Sequence, residues 1–339
     1  MPRSEPAPGR EPAPRREPAL AVAVSYDRPM SGPVIAVGPV AEEWAMDAVR
    51  DGGGVAVALD ESAGAEPVGL VWTAGSDTDG LARVLHDSPR IGWVQLPAAG
   101  VERFATSAVL RAGPRFTCAK GAYGEPVAEH ALLLALALLR GLPERVRART
   151  WGSPAGTCLF DERVTIVGGG GIAQALLRLL ERFRVRATVV RRSAVPLPGA
   201  ARTVATGGLA DALPGSLVVF LALSLTPETT RILGAAELAR MDRRAVLVNV
   251  ARGAVCDTEA LVAALATGAI AGAGLDVTDP EPLPDDHPLW SEPHCIVTPH
   301  TADTWEMIRP LLARRIATNV RLLAADEPLE GLVDPAAGY

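Results

Sequence analysis

The stretch that decides the fold runs from Arg163 to Ser193 and reads RVTIVGGGGIAQALLRLLERFRVRATVVRRS. Two short apolar runs, VTIV and ATVV, flank four consecutive glycines and a segment whose leucines recur at helical spacing. This order predicts a strand, a glycine turn, a helix and a second strand, which together make a βαβ unit.

The four glycines fit the dinucleotide-binding pattern G-x-G-x-x-G/A, with Gly168, Gly170 and Ala173 at its three fixed positions. The first glycine allows a tight turn, the second lets the backbone approach a pyrophosphate, and the small third residue lets helix and strand pack closely. Gly171 and Ile172 then open a helix whose free N–H groups favour phosphate. A flexible glycine loop is the alternative, but the flanking strand and helix favour a cofactor site.

Composition narrows the classes of function. The length of 339 residues predicts two domains. The net charge of -6 gives no electrostatic reason to bind nucleic acid or an anionic membrane. No apolar run approaches the ~20 residues that span a bilayer. Four separated cysteines without a C-x-x-C pair predict reduced thiols in a cytoplasmic protein. They are Cys118, Cys158, Cys256 and Cys295.

Strands alternate with helices along most of the chain, so we expect an α/β fold with parallel sheets. Residues 1–18 are Pro, Arg, Glu and Ala and predict a disordered tail. A first set of strands is predicted within residues 34–118, and a second set from residue 163 to residue 297. A long apolar helix, Val127 to Arg140, is expected between the two sets, with His130 as a structural histidine. A helix is also expected over Pro227–Arg231, because proline suits a first helical turn.

Polar side chains stand where three strands of the second set end. The stretches read VNVARG over 248–253, GLDVTDPEP over 274–282 and VTPHT over 297–301. Open α/β sheets bind their ligands at the carboxyl ends of their strands. Pro97-Ala98-Ala99-Gly100 follows a strand of the first set; it is either an anion-binding loop or an ordinary strand-end turn.

With the glycine turn, these stretches resemble the D-isomer-specific 2-hydroxyacid dehydrogenase family, and the resemblance covers roughly residues 34 to 335. It implies two Rossmann-like domains, with a cofactor domain (127–302) inserted into a substrate domain (19–126 and 303–339). The catalytic residues it implies are Arg252, Glu281 and His300. It also implies that Asp276 lies near the nicotinamide and that Val250 contacts the cofactor. Ala99 and Gly100 would hold the substrate carboxylate by their backbone, as would Arg252 by its side chain.

Reduction of a 2-keto acid needs these residue types. Histidine can give a proton to the keto oxygen near neutral pH, and a neighbouring carboxylate can orient its ring. Arginine can hold a carboxylate by two parallel N–H bonds, which lysine cannot copy. The chain departs from the family after His300, where Thr-Ala-Asp replaces the frequent small-glycine pair.

The second strand of the βαβ unit ends in Arg191-Arg192-Ser193, where NAD-using relatives carry an acidic residue for the ribose 2′-OH. Two guanidinium groups suit a 2′-phosphate, so NADP is the expected cofactor, with NAD as the alternative. The alternative is that the two arginines lie on an ordinary solvated turn and do not bind the cofactor.

The sequence therefore predicts a reductase of small 2-keto acids such as glyoxylate or hydroxypyruvate, with no metal. Alternatives are a relative that acts on 3-phosphoglycerate, formate or phosphite, and a dinucleotide-sensing, corepressor-like binding protein. A homodimer is expected, because the apolar stretch Ala131–Leu139 would need a partner surface. The family resemblance also puts Trp151 near the neighbouring subunit.

Overall fold

The computed structural model describes residues 32–334, except 102, 103, 105–107 and 112. In this part of the chain two parallel β-sheets are flanked by helices, so the predicted α/β class is confirmed. The predicted tail, residues 1–18, lies outside the described residues.

The first sheet is built from the amino-terminal third of the chain. Its spatial order within the described residues is β2-β1-β3-β4-β5, and every neighbouring pair is parallel. The strands are β1 Val34–Gly38, β2 Val55–Ala58, β3 Gly69–Trp72, β4 Trp93–Gln95 and β5 Arg115–Thr117.

The second sheet contains the glycine motif. Its order is β12-β11-β10-β9-β6-β7-β8, again parallel throughout. The strands are β6 Arg163–Val167, β7 Arg186–Arg191, β8 Arg202–Ala205, β9 Val218–Leu221, β10 Val246–Asn249, β11 Gly272–Leu275 and β12 Cys295–Val297. The chain runs one way across the sheet from β6 to β8 and the other way from β9 to β12. The turn after β6 therefore lies at a topological switch point, where such sheets bind ligands.

Helices cover the sheets and join them. They are α1 Glu43–Asp51, α2 Thr78–Asp87, α3 Gly124–Leu139, α4 Leu142–Arg147, α5 Gly171–Leu180, α6 Leu209–Ala212, α7 Ala235–Leu238, α8 Thr258–Ala266 and α9 Trp305–Ala324. Helix α3 packs on α5, β10 and β11 of the second sheet, whereas α9 returns to pack on α1 beside the first sheet. The cofactor domain is thus inserted into the substrate domain, as predicted.

Buried polar contacts fix the returning helix to the first sheet. The Asn319 side-chain amide donates to Oε1 of Gln95 at 3.1 Å and to the Glu330 carbonyl at 3.0 Å. The Thr117 hydroxyl donates to the same Gln95 oxygen at 2.8 Å. Because these groups are buried and satisfied, they specify how α9 seats on β4.

The helix predicted over Pro227–Arg231 is wrong. The amides of Thr229 and Thr230 both bond to the Thr226 carbonyl, which closes a single turn. Arg231 then takes a left-handed backbone with φ of 52°, so the turn cannot propagate. Sequence patterning also missed the edge strand β8 and the short helix α4. None of the helices in the described residues is long and apolar enough to cross a membrane.

Candidate active site

The glycine turn has the geometry that a dinucleotide pyrophosphate needs. Gly168 has φ of 122°, and a Cβ there would lie 2.0 Å from the Ala222 carbonyl oxygen, so only glycine fits. Gly170 is the N-cap of α5, and a Cβ on it would meet nothing within 4 Å. Open space therefore lies before the helix N-terminus formed by Gly171 and Ile172, and the residues present fit a bound diphosphate.

The same turn packs against residues 119–124, the linking segment between the first sheet and α3. A Cβ on Gly171 would lie 2.5 Å from the Gly121 Cα, and one on Gly124 would lie 2.7 Å from the Gly171 carbonyl oxygen. This backbone contact needs glycine on both sides, because any side chain would separate the turn from the linking segment.

Arg191 lies over the glycine turn. It ends β7, and a Cβ added to Gly169 would lie 3.0 Å from both its Cδ and its Nε. Arg192 and Ser193 follow on an exposed bend. No acidic residue occurs between Arg184 and Pro214 except Asp211, whose carboxylate forms a salt bridge with Arg240 at 3.2 Å. The end of β7 therefore presents positive charge beside the turn.

Asp276 organises the loop that carries the predicted catalytic histidine. It is 2% exposed and accepts the Thr298 hydroxyl at 2.6 Å and the Thr301 and Ala302 amides at 2.9 and 3.1 Å. His130 lies within 3.4 Å of the same carboxylate and 3.0 Å from the Thr298 hydroxyl. The prediction that His130 is a structural histidine did not anticipate that it supports this loop from α3.

His300 and Glu281 form a close pair. The Nδ1 atom of His300 lies 2.6 Å from Oε1 of Glu281, and the two side chains are 44% and 42% exposed. Because Nδ1 contacts the Glu281 carboxylate, Nε2 is the ring nitrogen that remains to exchange a proton with a ligand. The backbone of His300 is left-handed, with φ of 51°, and its amide bonds to the Asp276 carbonyl at 2.8 Å. Such strain in a non-glycine residue is held by its surroundings and often marks function.

Arg252 follows β10 on a turn that Asn249 holds. The Asn249 amide donates to the Arg252 carbonyl, and its Oδ1 accepts the Ala251 amide, both at 3.0 Å. The next residue, Gly253, touches the loop that leads to Glu281, since a Cβ there would lie 1.9 Å from the Thr278 carbonyl carbon. The strand-end stretches around Arg252 and Glu281 are therefore in direct backbone contact. Val250, before this turn, is buried.

The loop after β4 is anchored from the linking segment. The Tyr123 hydroxyl donates to the Pro97 carbonyl at 2.6 Å, and the Ala119 amide donates to the Ala98 carbonyl at 2.9 Å. Ala99 and Gly100 follow, with Ala99 exposed and Gly100 half-buried. Hydrogen bonds therefore hold the first two residues of this loop, and the two predicted substrate-binding residues follow them where solvent reaches the backbone.

Asp303 is a residue that sequence reasoning left without a role. The pKa of its carboxyl is raised, mainly by burial. The charge of Asp276 also raises it, whereas the charges of His300 and Arg252 oppose the rise. Burial also raises the pKa of Tyr123, and the charge of Asp303 adds to that shift. Asp303 therefore lies within electrostatic reach of the catalytic loop and of the linking segment. Asn249 and Tyr123 were missed in the same way, although an asparagine at the end of a buried strand was a usable signal.

Comparison with known proteins agrees with this geometry. Residues 131–302 match the NAD-binding domain of the D-isomer-specific 2-hydroxyacid dehydrogenases. An uncharacterized protein of Corynebacterium melassecola is 39% identical over 268 residues, which cover 77% of this chain and 88% of that protein. The chain belongs to the D-isomer-specific 2-hydroxyacid dehydrogenase family. The family resemblance on which the sequence interpretation depended is thus confirmed.

Members with a stated activity or cofactor are also similar. A mouse glyoxylate reductase/hydroxypyruvate reductase is 34% identical, covering 69% of this chain and 72% of that protein. A Xanthobacter autotrophicus family member solved with NADPH superposes with a TM-score of 0.76 at 28% identity, covering 91% of this chain and 99% of that one. An NADPH-dependent glyoxylate/hydroxypyruvate reductase of Sinorhizobium meliloti, solved with NADP, gives 0.72 at 25% identity, covering 91% and 100%. The chain is an NAD(P)-dependent oxidoreductase of 2-keto and 2-hydroxy acids with a nicotinamide-dinucleotide domain.

Proposed function

We propose that this family member is an NADPH-favouring reductase of small 2-keto acids, with glyoxylate and hydroxypyruvate as the substrates to test first. The observation that carries the proposal is the 2.6 Å contact between His300 and Glu281 at the edge of the sheet that also holds the glycine turn. A histidine oriented by a carboxylate at this edge is suited to acid–base work.

Each residue has a chemical task in this proposal. Glu281 accepts a hydrogen bond from Nδ1–H and fixes the ring. The protonated ring of His300 gives its Nε2 proton to the keto oxygen and is left neutral, with its remaining proton on Nδ1. Arg252 binds the substrate carboxylate with its planar fork, and the backbone of Ala99 and Gly100 adds N–H donors. The nicotinamide, when bound, supplies the hydride.

NADPH is favoured because of the end of β7. Arg191 reaches over the turn, Arg192 and Ser193 follow it, and the acidic residue that would bind a ribose 2′-OH is missing. The solved relatives named above are described with NADPH and NADP. We propose that residues 19–126 and 303–339 form the substrate domain and that residues 127–302 form the dinucleotide-binding domain.

We also propose that the molecule is a homodimer. The apolar stretch Ala131–Leu139 does not need a partner over its whole length, because most of it packs within its own domain. Mainly Leu133, which is 56% exposed, faces outward. Leu133 instead lines an apolar groove of about 450 Å³ together with Val146 and Trp290. Trp151, 97% exposed, stands on an exposed segment beyond α4. Exposed apolar surface of this kind favours a protein partner.

A substrate panel tests the proposed activity. Wild-type protein with NADPH should consume the cofactor when glyoxylate or hydroxypyruvate is added. It should respond less to 2-keto acids whose side chains are larger than the hydroxymethyl group of hydroxypyruvate. Oxidation assays with formate, phosphite and 3-phosphoglycerate separate the alternatives. Turnover with one of those three, and none with any 2-keto acid, would replace the proposed substrate class.

A further inference from the structure

Helix α9 carries a charged side chain that is nine-tenths buried beside the linking segment. The side chain of Arg315 is 10% exposed, and its Nε lies 3.2 Å from Oε2 of Glu330. Its Nη1 donates to the carbonyls of Cys118 and Lys120, both at 3.1 Å. Buried charges are normally paired, and these three contacts together hold the guanidinium in one position. Arg315 thereby ties α9 to the start of the linking segment.

The chain closes tightly around this guanidinium. The Cys118 amide donates to the Gly331 carbonyl at 2.9 Å. Gly331 has φ of 72°, and a Cβ on it would clash with Arg315 Nη1 and with the Cys118 carbonyl oxygen, so only glycine fits. One turn further along α9, the Asn319 side chain accepts the Glu330 amide at 2.8 Å and donates to the Glu330 carbonyl at 3.0 Å. The residues around Arg315 are therefore fixed from both sides.

The segment that is held in this way also anchors the predicted substrate loop. The Cys118 thiol donates to the Ala99 carbonyl at 3.6 Å. The two bonds that hold the first residues of that loop come from Ala119 and Tyr123, which lie on the same segment. Three successive carbonyls of the loop, those of residues 97–99, are thus bonded to residues 118–123. A shift of this segment would move the loop with it.

Building on the activity proposed above, we propose that Arg315 is a positioning residue for substrate binding. Its guanidinium fixes the start of the linking segment. That segment in turn sets where the backbone N–H groups of Ala99 and Gly100 meet the substrate carboxylate. Arginine is the residue for this task, because a planar fork can serve two carbonyls and a carboxylate in fixed directions, which a point charge cannot.

The test measures KM and kcat for glyoxylate at saturating NADPH, and the dissociation constant of NADPH, in the wild type, Arg315→Ala and Arg315→Lys. Arg315→Ala should raise KM about tenfold, because a loop that is no longer held must be ordered when the substrate binds. The values of kcat and of the NADPH dissociation constant should stay near those of the wild type, since His300, Glu281 and the glycine turn follow strands of the second sheet. Arg315→Lys should raise KM by less, because it keeps the charge and loses only the fork.

Added guanidinium ion gives a second measurement. At a concentration too low to denature the protein, guanidinium chloride should lower the KM of Arg315→Ala towards the wild-type value, because the ion can replace the missing group. Sodium chloride at the same ionic strength should not. Arg314→Ala is the matched control, since it removes an exposed arginine one position earlier on the same helix. Its KM should equal that of the wild type and should not respond to guanidinium.

A wild-type KM in both Arg315 variants would overturn the positioning role. It would also be overturned if KM, kcat and the NADPH dissociation constant all worsened together without rescue, because that pattern indicates a general loss of structure. Should Arg315→Ala fail to fold, a wild-type KM in Arg315→Lys is enough to refute the proposal. A wild type that reduces no 2-keto acid with NADPH or NADH would instead overturn the proposed activity, and the positioning role with it.

Discussion

Replacing Arg191 and Arg192 by alanine should remove most of the preference for NADPH over NADH. The structure gives the two residues different weights. Arg191 is half-buried and its side chain crosses the glycine turn, whereas Arg192 is exposed beyond the end of β7. A hydrogen bond between charged groups contributes about 1.5–3 kcal/mol, but an exposed ion pair contributes only about 0.2–1 kcal/mol.

These values set the size of the effect. Taking the lower end for Arg191 and about 0.5 kcal/mol for Arg192 gives roughly 2 kcal/mol, which is about thirtyfold in the NADPH-to-NADH ratio of kcat/KM. The single Arg191→Ala variant should account for most of that factor. Because solvent reaches both groups, the wild-type preference should shrink as ionic strength rises.

The assay is kcat/KM with each cofactor at saturating glyoxylate, at low and high salt. Arg186→Ala is the matched control, since Arg186 is an exposed arginine at the amino end of the same strand, roughly 16 Å from Arg191. That variant should keep the wild-type ratio. Equal or better kcat/KM with NADH in the wild type would refute the reasoning and leave the two arginines as a solvated turn.

Three further outcomes are expected. Arg252→Lys should lower kcat/KM for the keto acid by at least about tenfold, because a point charge cannot replace a planar fork, and an unchanged kcat/KM would contradict the substrate role. Asp276→Asn should lower the free energy of unfolding by about 1.5–3 kcal/mol, since one acceptor of a buried charged network is lost. Denaturant titration measures this, and an unfolding midpoint equal to that of the wild type would show that the network is dispensable. Burial raises the pKa of Cys256 and of Cys295 to about 12, so alkylation of the native protein near pH 8 should label exposed Cys158 first. Equal labelling rates for the three thiols would count against this packing.

Local sequence patterns predicted the elements that depend on local chemistry. The turn at Gly168 needs a glycine backbone, and the strands around it are short apolar runs, so both could be located without tertiary information. The polar stretches containing Arg252 and His300 could be placed at strand ends for the same reason. The helix expected after Thr226 failed because a left-handed Arg231, unpredictable from its neighbours, ends the turn.

Residues whose roles depend on long-range contacts could not be predicted. Asp303 gains its place only when the loop after β12 is pinned to Asp276, and Tyr123 gains its place when the loop after β4 packs over it. His130 lies 168 residues from Thr298 in the sequence, so their 3.0 Å contact has no local signature. The catalytic roles of Arg252, Glu281 and His300 stay predictions.

Turnover by His300→Ala tests the central claim most directly. The variant should bind NADPH with a dissociation constant near that of the wild type, because His300 is not part of the glycine turn, while kcat with glyoxylate falls about a hundredfold or more. His294→Ala, which removes an exposed histidine just before β12, serves as the control and should keep wild-type turnover. Wild-type kcat in His300→Ala, with cofactor binding intact, would contradict the account of this site.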